Sequence, residues 1–407
     1  MGMKSGGLIA GLVGLGILNC AALELYVAPG GDDSNTGTRE APFQSLEKAQ
    51  AAVRARLPMA GNEGITVWLR GGTYYLGRTL EFGPADSGTA AAPVTYAGYA
   101  GEKAVISGAI RLSTDWKPYK DGIYVAPVGR GLKFDMLFAD GEVQVMARYP
   151  NVDPNVKILD GYAPDALSKE RSARWSNPAT GFARGLHRAE WGGNSYRITG
   201  RKPNGDLQME WMKDNNRGGG IHKKYRMVEN IFEELDAPGE WFYDESAGNL
   251  YFQPLEGMDP AKVRFEGASL EELIRIVGTA DEKVRHLTFK NLTFTGTHRT
   301  LFTREYEGIQ RSDWRLVRAG ALFIQDAAEV TVEGCTFDRV GGNALFFSAY
   351  NRNHLVTNNE FLENGATCVN VVGSTNALRH ANTWENHVTE ISQIDGKAGP
   401  KTEDYPK

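Results

Sequence analysis

Cysteine is scarce. Only Cys20, Cys335 and Cys368 occur in 407 residues. A cut after Ala22 would leave two, so a disulfide-stapled scaffold is excluded. Those two are expected to be small buried residues rather than a redox couple. Positive charge is not in excess either. The 45 basic and 50 acidic side chains give a net charge of −5, which argues against a nucleic-acid partner. Neither a complete metal-binding motif nor a dense Asp/Glu stack is present. What is abundant is glycine, with 48 residues. That suits a chain with many tight turns better than a helical one.

The first residues read MGMKSGGLIAGLVGLGILNCAALELYV. Lys4 precedes an apolar run from Leu8 to Leu18, and small residues stand at Cys20 and Ala22. This predicts a secretory signal over 1–22 and a secreted, periplasmic or cell-surface protein. The run is short for a membrane span. A lipoprotein reading of Cys20 fits less well, because Leu18 and Asn19 precede it.

The later sequence repeats. EVTVEGCTFDRVG (329–341) and NHLVTNNEFLENG (353–365) align at an interval of 24 residues. Val332, Cys335, Phe337 and Gly341 then meet Val356, Asn359, Phe361 and Gly365. An earlier copy, VRHLTFKNLTFTG (284–296), places Phe289, Leu292 and Phe294 in the same positions. Apolar residues alternate in short runs between Gly and Asn, which is strand–turn chemistry. A unit this short cannot bury its own inner face, so the repeats must stack. The Leu-x-x-Leu-x-Leu pattern of leucine-rich repeats is absent. The spacing therefore predicts an all-β parallel β-helix with one rung per repeat. Asn291, Asn358 and Asn359 fall at the turns, where Asn tolerates left-handed backbone.

Near the start, Ser45 is a plausible N-cap. Leu46, Ala49, Val53 and Leu57 make one stripe of a helix that would close the open end of a solenoid. The stretches 65–76, 93–99 and 104–109 read as first rungs. Between 110 and 264 the rhythm stops, and DG and AGN turns join alternating strands into hairpins. The expected division is a signal peptide (1–22), a cap with first rungs (23–109), an inserted antiparallel β-domain (110–264) and later rungs (265–407).

The motifs YVAPGGDDSNTGTREAPFQSLEKAQ, VWLRGGTYYL, DSGTAAAPVTYAGYAGEKAVISGA and GEWFYDESAGNLYFQP resemble secreted right-handed parallel β-helix proteins of the pectate-lyase-like superfamily. Their order is most similar to β-helix glycoside hydrolases of families 120 and 141. The resemblance covers nearly the whole chain after the leader. It implies a right-handed β-helix, an insertion beside a substrate groove and a carbohydrate-active enzyme. It identifies substrate poorly, because lyases, hydrolases, epimerases and tailspikes share the fold. Proteins of this kind continue for several more coils, so the chain reads as a truncated product whose active site extends past Lys407.

Glycoside hydrolysis needs two carboxyl groups at a set separation. Outward side chains on adjacent rungs stand about 4.8 Å apart. Asp338, Glu360 and Glu363 flank the rung phenylalanines and are the expected catalytic carboxyls, paired as Asp338 with Glu360 or Glu363. The expected substrate-binding residues are His298, Arg299 and Trp314, then Tyr350, Arg352 and His354. His387 and Asp395 join them from the C-terminal stretch. Arg suits carboxylated or sulfated sugars because it grips them bidentately. Each charge read alone is equally a solvated rim residue. The stretch WMKDNNRGGGIHKKYRMVEN reads as a solvated loop or as a lid touching an acidic sugar. Trp175, Trp191, Trp211, Trp241, Tyr243 and Tyr251 are core residues or sugar platforms.

The expected function is hydrolysis of a plant or algal polysaccharide or oligosaccharide through two carboxyls, without a cofactor. The alternatives are a polysaccharide lyase or epimerase, which would call on Ca²⁺, and a non-catalytic glycan-binding protein.

Overall fold

A computed structural model describes residues 23–215, 217–300, 307–308 and 315–374. Three parallel sheets wind into a solenoid. The first contains Leu23–Val27, Ile65–Leu69, Val94–Gly98, Leu287–Lys290, Thr331–Glu333 and Leu355–Thr357 in that order. The second runs Gly72–Tyr75, Ala104–Ser107, Leu292–Thr295, Thr336–Asp338 and Glu360–Leu362. The third runs Leu80–Phe82, Ile274–Val277, Leu322–Ala328, Leu345–Arg352 and Val369–Val372.

The registers follow the repeat. Phe289 pairs with Val332 and Val332 with Val356, while Phe294, Phe337 and Phe361 form a second column. Because side chains alternate across a strand, each column points inward. The Phe294, Phe337 and Phe361 rings stack at 4.9 and 5.1 Å. Asn291, Gly334 and Asn358 make a column of left-handed turn residues at φ 53°, 62° and 55°. Asn359 serves differently. Its amide accepts from the Cys335 N–H and donates to the Val332 carbonyl, so it bridges two rungs.

The capping helix Leu46–Arg56 forms as expected. Ser45 caps it by accepting from Lys48 N–H, and Leu46, Ala49 and Val53 are buried in the solenoid core. Cys335 is buried, and burial pushes its thiol up to about 11. Cys368 is exposed, which corrects the expectation that both cysteines are buried: it lies on the last described rung.

The insert holds two sheets. An eight-stranded sheet runs from Ala109–Arg111 at one edge to Lys117–Pro118 at the other, and Phe265–Ala268 pairs between Ala109–Arg111 and Leu137–Ala139. A five-stranded sheet carries the long hairpin Phe182–His187 and Gly193–Arg201. The insert is not wholly antiparallel, because Val145 and Met146 pair in parallel with Glu240 and Trp241. Trp241 and Trp175 are each 1% exposed and anchor separate cores. Among the described residues no helix is long and apolar enough to cross a membrane.

Candidate functional site in the seam between solenoid and insert

The solenoid turn after Leu292–Thr295 carries His298 and Arg299. Its path is set by the next rung. Gly341 N–H donates to both the carbonyl and the hydroxyl of Thr297, each at 3.0 Å. A Cβ on Gly341 would lie 2.5 Å from the Thr297 oxygen and the His298 carbonyl carbon, so only glycine lets the rungs approach this closely. His298 N–H donates to the Leu270 carbonyl, which fixes the residue at the seam.

Arg299 ties the three parts together. Its backbone N–H donates to Asp135 at 2.9 Å, and its Nε contacts the same carboxylate at 3.3 Å. Its Nη1 reaches both oxygens of Glu229 at 3.2 and 3.3 Å. Arg184 adds a second cation 3.6 Å from Glu229. Burial alone would push the Glu229 carboxyl up. The Arg299, Arg184 and Arg148 charges outweigh it and hold the group below its ordinary range. Asp135 comes from the loop that enters strand Leu137–Ala139 of the eight-stranded sheet and Glu229 ends strand Ile221–Glu229 of the five-stranded sheet, so this buried ion cluster docks both sheets onto the solenoid.

Beside the cluster opens a cavity of about 780 Å³. Asp135, His298, Phe134, Trp241, Tyr243, Asp244 and Glu245 line it, together with Lys133, Arg197 and Phe182. Phe134 stacks against both Trp241 (5.6 Å) and Tyr243 (4.9 Å), making an aromatic ledge in which Trp241 and Phe134 are buried and Tyr243 is the more open ring. Such faces suit the C–H surface of a sugar ring. His298 Nδ1 is buried without a hydrogen-bond partner, and it sits 3.9 Å from Asp135 Oδ1. Asp244 is held below the usual carboxylate range, first by the Ser246 hydroxyl and then by the Ala247 and Ser246 amides. A reciprocal pair stiffens one wall: the Thr180 hydroxyl donates to the Asn230 carbonyl, and the Asn230 amide to the Thr180 carbonyl, both at 2.8 Å.

The other expected residues are placed as follows. Asp338 faces outward on the second sheet and lines a smaller cavity of about 210 Å³ with Tyr75, Lys103, Arg264 and Glu266. Arg339 forks onto its two oxygens at 2.8 and 2.7 Å and also donates to the Gly141 carbonyl of the insert. Glu360 lies on the same outward face, but it pairs with Thr336, while Asp338 is opposite Leu362. Glu363 takes the turn position, at φ 48°, that Arg339 and Gly296 take on earlier rungs. Both glutamates are exposed and neither lines a described cavity.

Two expected binding residues need correction. Arg299 is committed to Asp135 and Glu229, so it positions the site rather than offering its guanidinium to a ligand. His354 does not face a groove: its ring stacks on Phe347, Nδ1 accepts from Val330 N–H, and Nε2 is bonded to the Asn351 amide oxygen. Burial lowers its pKa to about 4. Tyr350 and Arg352 belong to strand Leu345–Arg352 rather than to a turn, and Arg352 and Lys283 flank the Tyr350 ring. Trp314, His387, Asp395 and the leader 1–22 lie outside the described residues. Among the described residues no cluster of three or more potential metal ligands occurs.

Asp135, Phe134 and Glu229 were missed by the sequence reading. Nothing in the 24-residue rhythm reaches into the insert. The only pointers were the aromatic residues Trp241 and Tyr243.

Comparisons with known proteins agree with this architecture. A model of the right-handed β-helix region matches residues 275–403. A stretch of 84 residues is 42% identical to the uncharacterized protein YwoF of Bacillus subtilis, covering 21% of this chain and 15% of that protein. Another of 87 residues is 38% identical to pectate lyase PEL9 of Emericella nidulans, covering 21% of this chain and 19% of that one. The matches therefore span less than a fifth of either curated relative. A solved glycoside hydrolase superposes with a TM-score of 0.70 at 24% identity, over 87% of this chain and 68% of its own. With three parallel sheets, a capped N-terminal end and a match to the right-handed β-helix region, the chain has a right-handed parallel β-helix fold, which it shares with a solved glycoside hydrolase.

Proposed function

We propose that the protein is a glycan-acting enzyme, and more narrowly a glycoside hydrolase that cleaves a plant or algal polysaccharide in the seam cavity. One observation carries this reading. The Asp135 carboxylate, held by Arg299, stands beside the unpartnered Nδ1 of His298 in a cavity with a ledge of three stacked aromatic rings. A sugar ring on the ledge would bring its glycosidic bond to these two groups. The His298 ring, in its protonated imidazolium form, donates a proton to the leaving oxygen as the C–O bond breaks. Asp135 faces the positive charge that develops on the sugar. Water then adds its oxygen to the anomeric carbon, and its proton returns to the imidazole. Asp244, Glu245, Lys133 and Arg197 line the cavity with charges of both signs, and Lys133 pairs with Glu245.

A second placement is favoured by the smaller cavity, where Asp338 and Glu266 offer two carboxyls and Tyr75 donates to Glu266. A product assay on the full chain separates the two. New reducing ends and the ultraviolet absorbance of unsaturated uronates are followed together on neutral, uronate-bearing and sulfated polysaccharides. Hydrolysis in the seam cavity predicts reducing ends alone. It also predicts loss of at least about a hundredfold in rate for Asp135→Asn, with Asp338→Asn near wild type. The converse pattern moves the chemistry to the second sheet. Reducing ends with absorbance would mean β-elimination and would overturn hydrolysis.

A further inference from the structure

The tip of the insert's long hairpin carries an aromatic and basic group of residues that the cavity does not use. Trp191 is 58% exposed, whereas Trp175 and Trp241 are each 1% exposed. Trp191 is also built into place. The buried His187 ring lies parallel to it, 5.7 Å between centroids and 11° between planes. His187 is itself fixed: Nδ1 accepts from Ala189 N–H, so Nε2 carries the proton and faces the Gly218 carbonyl at 3.3 Å. The buried Asn215 amide donates to the carbonyls of Trp191 and Gly193 at 2.6 and 3.0 Å, clamping the two loops together.

Cations converge on the same spot. The Arg217 guanidinium sits 5.1 Å from the Trp191 ring centroid. Gly219, at φ 142°, closes over Arg188. A Cβ there would lie 3.1 Å from both the Arg188 Nε and the His187 Nε2. Arg188 and Arg217 are exposed, in a chain whose net charge is −5. The tip stands off from the cavity. Phe182, at the other end of the strand, lines the cavity, and the five residues from there to His187 span roughly 17 Å at about 3.3 Å each.

We propose that this tip is a docking site for an acidic glycan, a chain bearing carboxylate or sulfate groups, separate from the seam cavity. Trp191 supplies the face for a sugar ring. Arg188 and Arg217 supply paired N–H donors for the anion, in the planar geometry that carboxylate and sulfate fit. Held there, a polymer is kept near the cavity by avidity rather than by the strength of the cavity alone. The proposal does not depend on the cavity being catalytic.

The test measures binding of the full chain to polygalacturonate, dextran sulfate and neutral dextran. The expected result is binding to one or both acidic polymers, with at least about tenfold weaker binding in Trp191→Ala and in the double variant Arg188→Ala/Arg217→Ala. That change corresponds to about 1.4 kcal/mol. Trp191→Phe, which keeps an aromatic face, should fall between the two. Asp135→Asn should bind like wild type. Preference for polygalacturonate or for dextran sulfate decides between carboxylate and sulfate. Equal binding to neutral dextran overturns the proposal, as does wild-type binding by both the Trp191→Ala and the double-arginine variants. Loss of binding in Asp135→Asn would assign the binding to the cavity and overturn it too.

Discussion

Glu240 gives the sharpest quantitative prediction. The residue is 2% exposed at the start of strand Glu240–Asp244. One carboxyl oxygen accepts from the Asp236 and Ala237 amides at 3.1 and 3.2 Å. The other has no partner among the described residues. Burial, only partly offset by those amides, raises its pKa from 4.5 to about 8. The folded protein therefore keeps a proton that the unfolded chain has already released over this interval. For a raised carboxyl, the stabilisation is complete below about pH 4.5 and is lost as pH rises to about 8. Each pH unit is worth about 1.4 kcal/mol, so the interval amounts to about 5 kcal/mol. Glu240→Gln keeps an acceptor for both amides and has no charge to desolvate. Urea unfolding from about pH 5 to pH 8 should show a stability that falls with pH in wild type, with a slope reduced by up to about 1.4 kcal/mol per unit in the variant. The variant should be the more stable protein near pH 8. Parallel slopes in the two proteins would refute the assignment of a buried, protonated Glu240.

Other predictions follow from the same packing. Arg299→Met should destabilise by about 3–5 kcal/mol, because it leaves Glu229 buried among fewer cations. Adding Glu229→Gln should recover part of that loss in urea unfolding. In wild type, the low Glu229 pKa adds stability above about pH 4.5 that is lost on further acidification, so unfolding below that pH should be less steep in Glu229→Gln. Phe337→Ala removes the fully buried middle ring of the stack and should cost about 3–5 kcal/mol by the same assay. Gly341→Ala should cost about 1–3 kcal/mol by overpacking and should also disturb the His298 turn, read as weaker oligosaccharide binding. In peptide mapping after brief treatment with a thiol reagent, exposed Cys368 should be modified, and Cys335 only after unfolding.

The solenoid was legible because one physical constraint repeats. Phe294, Phe337 and Phe361 must all face inward, so their spacing in sequence is their stacking in space. The same logic placed Asp338 and Glu360 on an outward face. It was blind to Arg339, whose fork onto Asp338 turns a free carboxyl into a strut to Gly141. It also cast His354 as a binding residue, because a polar ring near a turn looks the same in sequence whether it faces a groove or packs on Phe347. The seam site was less legible still. His298 and Arg299 stood out as charged residues interrupting a rung. Asp135 lies 164 positions from Arg299, and no periodicity predicts that contact. Its place depends on how the insert's sheet docks, which is a property of tertiary packing alone.

The most direct test of the central claim is a crystal structure of the Asp135→Asn variant soaked with an oligosaccharide that the wild-type protein cleaves. The account predicts a sugar ring against Phe134 and Tyr243, with an oxygen within hydrogen-bond distance of His298 Nδ1. A sugar seated instead on the outward face of the second sheet, beside Asp338 and Glu266, would contradict it.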